Sequence, residues 1–585
     1  MLDSPARAAQ APPSKTSAAP GRAGAARRAA WIAFLVPAGL LLWSAYAVWV
    51  TYSPTPYVDQ WVDLYWWRQA GRAGWLDFMF SQRNEHRIFF PRLVFLADWK
   101  WFQGRDILNL VAIALTQLTG AAVFVRCAQI RRAGAIGLLG LAAALSLLVS
   151  LMQWETFFWG FCLQNAGVYA AGAWALYAFC KASRDPQTVR WGWMAAAMAL
   201  LTVATFNMAN GVLAGVAMLF VAAVTRRGIA AAVAATVATA VLLALYLHSY
   251  QAPLGHNAPS VVLHDPGGFI AFVGAFIGNI WWPPGKLLQA TIVGLAGCAA
   301  TVAMLVAVAR DRSRDPDRAT LAGVALFVGL TAAMTAFGRL HMGIEIPHSS
   351  RYMTATAYFW AAHAVFWTLT AERGGGRIAF AALGAAAVVA LLRLFSLQSV
   401  GYDELLAKHD QFALATSALL GGVENVYDVG PVEVFADPNI VRDDVPFLRS
   451  RRMSLFADPP AATVGAAFSR PLAVTGSCRG AFDGLAPAMA PPGVPLVWHA
   501  AGWAWDVKAR RAISRVVMVD GAGRVRGIGV AGVTRPDVAK AVREVRLPNA
   551  GWIASMNAGA AGDVIAYGIL ADGSACELGR KAWPQ

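Results

Sequence analysis

Long apolar runs, broken by short polar segments, dominate the first two thirds of the chain. A membrane helix needs about 20 apolar residues. On that rule, spans are predicted at about 31–52, 106–125, 134–152, 164–181, 191–207, 210–225, 229–248, 286–309, 319–337, 353–371 and 378–397, about eleven in all. The 191–225 stretch is read as two short spans, because Arg190 and Arg226-Arg227 flank it and Asn207 to Gly211 (NMANG) supplies a turn. Past 398 the pattern changes. Residues 402–420 keep a helical periodicity within a mixed connecting region, 398–470. From about 471 to 585, β-prone runs such as PLAVTG, SRVVMVD, RVRGIGVAGV and DVIAYGIL alternate with Gly, Asp and Asn turns. The expected fold is a polytopic α-helical membrane protein with a C-terminal β-sandwich-like soluble domain.

Charge orders the spans. Residues 1–30 are rich in Ala, Pro, Ser and Gly and carry Arg7, Lys15, Arg22, Arg27 and Arg28, which reads as a disordered basic tail. The apolar run that follows has no clear small-residue cleavage site and reads as an uncleaved anchor. With the N-terminus inside, every second short loop is basic, from Arg126, Arg131 and Arg132 to Arg373 and Arg377. The positive-inside rule then assigns 53–105, 152–163, 249–285, 338–352 and everything after 398 to the outer face, the periplasm of a bacterial inner membrane. The loops on that face hold the unusual residues, including His256, His264 and Asp265.

Composition supports the membrane reading and removes a rival. Of 585 residues 57% are hydrophobic and 14% charged, and mean hydropathy is +0.49. The formal charge of +16 resides largely in loops between apolar runs, and no basic, aromatic-studded soluble domain occurs, so nucleic acid is excluded as a partner. None of the six cysteines forms a CxxC or Cys/His metal pattern. Cys478 and Cys576 stand near the ends of the β-rich region and can pair in an oxidising compartment, or stay as separate thiols. Walker A, GxGxxG, HExxH and GxSxG patterns are absent in any convincing context.

The candidate chemistry collects in 57–93, where Asp59, Asp63, Asp77 and Glu85 mix with Arg68, Arg72, Arg83, His86, Arg87, Arg92 and several tryptophans. Asp59 follows the first span closely. It can take a proton from an acceptor hydroxyl, or cap the helix starting near Gln60. Glu85 can orient an acceptor, pair with an arginine or hold a divalent cation, while His86 and Arg87 can hold phosphate. The bland alternative is an interfacial helix with snorkelling charges. Arg339 with His341, and Arg351 with Tyr352, bracket another outer loop. An arginine on that face needs a partner, either a lipid phosphate or an internal carboxylate. Trp61, Trp154 and Glu155 can line a sugar site, although tryptophan is also an ordinary belt residue.

An N-terminal span, a long first outer loop with an acidic residue just beyond it, about eleven spans and a periplasmic C-terminal domain together resemble the GT-C superfamily of integral-membrane glycosyltransferases over residues 31–397. The resemblance implies a polyprenyl-phosphate-linked sugar as donor and a glycan, lipid or protein as acceptor in the periplasm. It implies an inverting reaction with Asp59 as general base. Glu85 or Glu155 would be a second carboxylate, and no cofactor is firmly implied. Gly502 to Asp506, Arg535 to Val538 and Gly551-Trp552 are similar to β-rich modules appended to bacterial surface-glycan enzymes. Two other classes stay open: a transporter or flippase of lipid-linked glycans, which needs polar groups lining a path through the spans, and a ligase or polymerase using a diphosphate-linked oligosaccharide.

Overall fold

The computed structural model describes residues 20–71, 74–252, 261–374, 376–423, 437–488, 496–557 and 562–583. The tail before residue 20, Arg72 and His256 lie outside them. Among the described residues, seven helices are long and apolar enough to cross a membrane: Gly24–Val50, Ile107–Cys127, Ala135–Phe158, Ile229–Leu247, Leu287–Arg310, Pro316–Met342 and Arg377–Gly421. Three shorter apolar helices join them, Trp191–Thr205, Ala209–Val224 and Pro266–Trp281. The break between the first two of these falls at the NMANG turn. Two further helices, Leu163–Ala182 and Met353–Gly374, are buried along nearly their whole length. They carry Gln164, Asn165, Thr354, Thr356, His363 and Thr368, polar residues tolerated because protein surrounds them. Each of the eleven predicted stretches thus carries a helix, and seven of those helices are long and apolar enough to cross a membrane.

Other expectations need correction. The helix preceding the first span begins at Pro20, inside the segment read as an irregular tail. The loop 249–285 contains the helix Pro266–Gly278, started by Asp265, whose carboxylate accepts the Gly268 N–H at 2.7 Å, with proline in the first turn. This helix lies against Leu287–Arg310 at glycines: a Cβ on Gly294 would run into the Gly274 carbonyl, and one on Gly278 into that of Ala290. The loop 53–105 is mostly helical, as Asp59–Ala70, Trp75–Phe80 and Phe89–Trp101. Inside it Arg92, fully buried, meets both carboxylate oxygens of Asp63 and donates to the Phe78 and Ser81 carbonyls, folding the loop back on itself.

Helix ends segregate into two groups. At one end, Arg27 donates to the Ala133 carbonyl at 3.0 Å, Lys181 and Gln129 hold Asp317, and Glu372 accepts the Gly134 and Gly137 N–H groups. The opposite end gathers parts of 53–105, 152–163 and 338–352. The span 378–397 and the helical stretch 402–420 are one helix of 45 residues, Arg377–Gly421, about 68 Å long at 1.5 Å per residue.

That helix carries the C-terminal domain. Its strands are β1 Cys478–Pro487, β2 Val497–Asp506, β3 Arg511–Ala512, β4 Arg515–Asp520, β5 Val525–Val533, β6 Gly551–Asn557, β7 Asp563–Ile569 and β8 Ala575–Ala582. They form one antiparallel sheet in the order β1-β2-β6-β5-β4-β7-β8, with β3 on β2. The two edges come together, Phe482 of β1 packing against Gly579 of β8, and Cys478 is bridged to Cys576 with Cα atoms 6.4 Å apart. The domain is therefore barrel-like, not a sandwich: a strongly twisted sheet removes its edges by meeting itself. Ser417 joins it to the long helix, donating to the Ile528 carbonyl and accepting the Ser555 N–H, both at 2.7 Å.

Candidate functional site

Asp59 opens the helix Asp59–Ala70, and the residue before it is strained. Val58 has φ +40°, a region a β-branched side chain rarely enters. A clamp holds this geometry. The Tyr57 N–H donates to Gln60 Oε1 at 2.9 Å, Gln60 Nε2 donates to Asp106 Oδ1 at 2.8 Å, and Asp106 Oδ2 accepts the Gly160 N–H at 3.0 Å. Asp106 thereby ties the start of the Asp59 helix to the loop carrying Trp159. Burial raises its carboxyl, and Asp98 nearby raises it further, to about 7 against the pull of its hydrogen bonds from Asn109, Gln60 and Gly160.

Asp59 does not cap its helix. Its Oδ1 accepts from Arg83 Nη2. Arg83 belongs to a tight turn in which its backbone exchanges hydrogen bonds with that of His86 at 2.7 and 2.8 Å, with Asn84 at positive φ. The NEHR stretch is therefore the tip of a turn, not an interfacial helix. The turn puts Asp59, Arg83 and His86 on a cavity of about 130 Å³ whose other walls include Trp159, Gln164, Arg339, Arg351 and Tyr352.

The three cations on this cavity differ in their partners. Arg83 pairs with Asp59. Arg339 donates to Glu85 Oε1 at 2.5 Å and to the Tyr352 hydroxyl. The Arg351 guanidinium makes no hydrogen bond or ion pair among the described residues and lies over the Tyr352 ring, 5.6 Å from its centroid. In the same walls Trp159 Nε1, Gln164 Oε1 and Arg83 Nε are buried without a hydrogen-bond partner among the described residues. An unpaired guanidinium, an unsatisfied indole N–H and a carboxylate with Oδ2 outside its ion pair make a site suited to an anionic, oxygen-rich ligand.

The remaining candidates separate. Glu85 sits between Arg339 and the His86 ring, Nε2 lying 3.4 Å from Oε1. Burial alone would raise its carboxyl, but His86 and Arg339 outweigh it and hold it down at about 2. Its charge answers the protein's own cations, so the pairing alternative describes it, not the cation-holding one. His86 accepts the Ala209 N–H on Nδ1 at 3.3 Å. Arg87 is not among the residues that line the cavity: its Nε, Nη1 and Nη2 donate to the carbonyls of Tyr246, Phe80 and His248. His341 is exposed and does not line the cavity. Trp61, expected at a sugar site, is fully buried in the packing below the loop. Trp154 and Glu155 line a separate, larger cleft next door. No cluster of three His, Cys, Asp or Glu side chains able to hold a metal occurs among the described residues.

Arg83, Trp159 and Gln164 were not singled out from sequence. Gln164-Asn165 did leave a trace, two adjacent amides opening an otherwise apolar helix, where polar groups are costly unless used. Arg83 left none, since it was one base among many.

No family model matches this chain, and no curated protein matches it. Among solved structures, ArnT from Cupriavidus metallidurans in the apo state is similar at 17% identity, over 56% of this chain and 77% of that one. The TM-score is 0.28, a likeness too slight to bear on fold or function.

Proposed function

We propose that this chain is a membrane glycosyltransferase, moving a sugar from a polyprenyl-phosphate carrier to a glycan, lipid or protein acceptor at the membrane face where the cavity opens. In a bacterial inner membrane that face is the periplasmic one. The observation that carries this reading is the Arg351 guanidinium, unpaired among the described residues, on the same small cavity as the Asp59 carboxylate. The acceptor oxygen attacks the anomeric carbon, the bond from that carbon to the phosphate oxygen breaks with inversion, and the phosphate leaves with the electron pair. Asp59 Oδ2 takes the hydroxyl proton, and Arg351 stabilises the charge growing on the phosphate. Arg83 holds the other oxygen of Asp59 and fixes its direction. Arg339, held by Glu85 and Tyr352, backs the same wall.

The test is transfer from radiolabelled polyprenyl-phosphate sugars to envelope glycans by the purified full-length protein. Asp59→Asn should lose about 10²-fold or more in rate, the usual worth of a positioned base, with membrane insertion and melting intact. Transfer at the wild-type rate in Asp59→Asn would remove Asp59 from this role.

A further inference from the structure

A cleft of about 340 Å³ opens beside the anion cavity, where the helix Arg377–Gly421 passes the segments around Met152 and His348. Its chemistry differs from that of its neighbour. The walls carry Tyr57, Trp154, Glu155, His348, Glu404 and Lys408. Glu155 is fixed by its Oε2, which accepts from Ser349 Oγ and from the Arg351 N–H, both at 2.9 Å. Its Oε1 takes no hydrogen bond among the described residues. Lys408 lays its ammonium over the Tyr57 ring, 5.6 Å from the centroid. Trp154 makes no ring contact with another aromatic side chain among the described residues.

His348 is the observation that points to a ligand. It is 7% exposed, it lines the cleft, and neither ring nitrogen has a hydrogen-bond partner among the described residues. Burial lowers its pKa, so at neutral pH the ring is uncharged, one nitrogen donating and the other accepting. Buried polar groups of this kind are normally satisfied. A group that both gives and takes a hydrogen bond suits such a ring, as a hydroxyl does. The lining charges argue the same way. Glu155 and Glu404 outnumber Lys408, which disfavours phosphate or carboxylate, while an indole offers a flat apolar face.

We propose that this cleft binds a saccharide, a neutral hydroxyl-rich ligand housed apart from the anion of the neighbouring cavity. Binding stands on the cleft alone, and only its role as the seat of the acceptor rests on the transferase reading above. Ala407 is exposed on the cleft wall, and the four cysteines outside the disulfide are buried or half-buried, so Ala407→Cys reports on the site. The experiment follows maleimide labelling of Ala407→Cys in the full-length detergent-purified protein, with Ser514→Cys on the β domain as control. The probes are free glucose, galactose, mannose, N-acetylglucosamine and arabinose, and separately inorganic phosphate. At about ten times its Kd a bound sugar should slow labelling of Ala407→Cys about tenfold and leave Ser514→Cys unchanged. Trp154→Ala should remove the protection, and Arg351→Ala should keep it. The proposal is overturned if none of these sugars protects, if phosphate protects in their place, or if protection survives both Trp154→Ala and Glu404→Gln. Lost transfer with sugar protection intact would instead count against the transferase reading alone.

Discussion

Arginines that look alike in the sequence carry different loads. The Arg351 guanidinium makes no hydrogen bond or ion pair among the described residues, whereas Arg87 supplies three backbone carbonyls with donors. Arg351→Ala should therefore abolish binding of decyl phosphate, followed by thermophoresis, and leave the melting temperature unchanged or higher. Arg87→Ala should do the reverse, costing about 1–3 kcal/mol of stability by stranding those carbonyls while phosphate binding persists. Glu85 sets a pH signature. Its folded pKa, about 2, lies below the ordinary value of 4.5, so its contribution to stability is present above pH 4.5 and is lost as pH falls toward 2. The melting-temperature gap between wild type and Glu85→Gln should narrow as pH falls from about 4.5 toward 2. A gap that widened over that acid range would reject the ion pair with Arg339.

The helices show how close approach and length decide arrangement. Pro266–Gly278 reaches Leu287–Arg310 only because Gly274, Gly278 and Gly294 leave room for backbone against backbone. Gly294→Ala should force the two apart and cost about 1–3 kcal/mol, the usual range for overpacking, read as a lower melting temperature. The helix Arg377–Gly421 acts as a strut, packing in the bundle at one end and in β5 and β6 at the other. Ser417 serves two backbone groups of the β domain at once, so Ser417→Ala should loosen the domain by about 1–3 kcal/mol without touching the cavity. Hydrogen exchange at β5 and β6 would show it. The polar side chains buried within the bundle, Gln117 with Gln153 and Tyr358, and Asn210 with Tyr169 and Thr331, bond to one another. Such pairing offsets the cost of burying them.

In the whole molecule, a membrane-sized bundle and a β domain share one continuous helix, and the cavity and cleft lie where the bundle ends and the strut goes on. The Cys478–Cys576 bridge closes the sheet across a sequence separation of 98 residues. Its removal in Cys478→Ser with Cys576→Ser should cost about 2–4 kcal/mol and broaden unfolding of the β domain, while decyl phosphate binding by the bundle is kept.

The sequence by itself determined what depends on local composition: which runs are apolar enough to enter a bilayer, where NMANG breaks one helix into two, that the last hundred or so residues are strand-rich, and that charged side chains collect in 53–105. Those features follow from hydropathy, periodicity and turn chemistry, which neighbouring residues decide among themselves. Only the tertiary structure decided partners. Asp59 meets Arg83 through a turn, Glu85 meets Arg339 from 254 residues away, and Arg351 is left unmatched. Ion pairing is a matter of distance in space, and no spacing along a chain encodes which arginine will meet which acid.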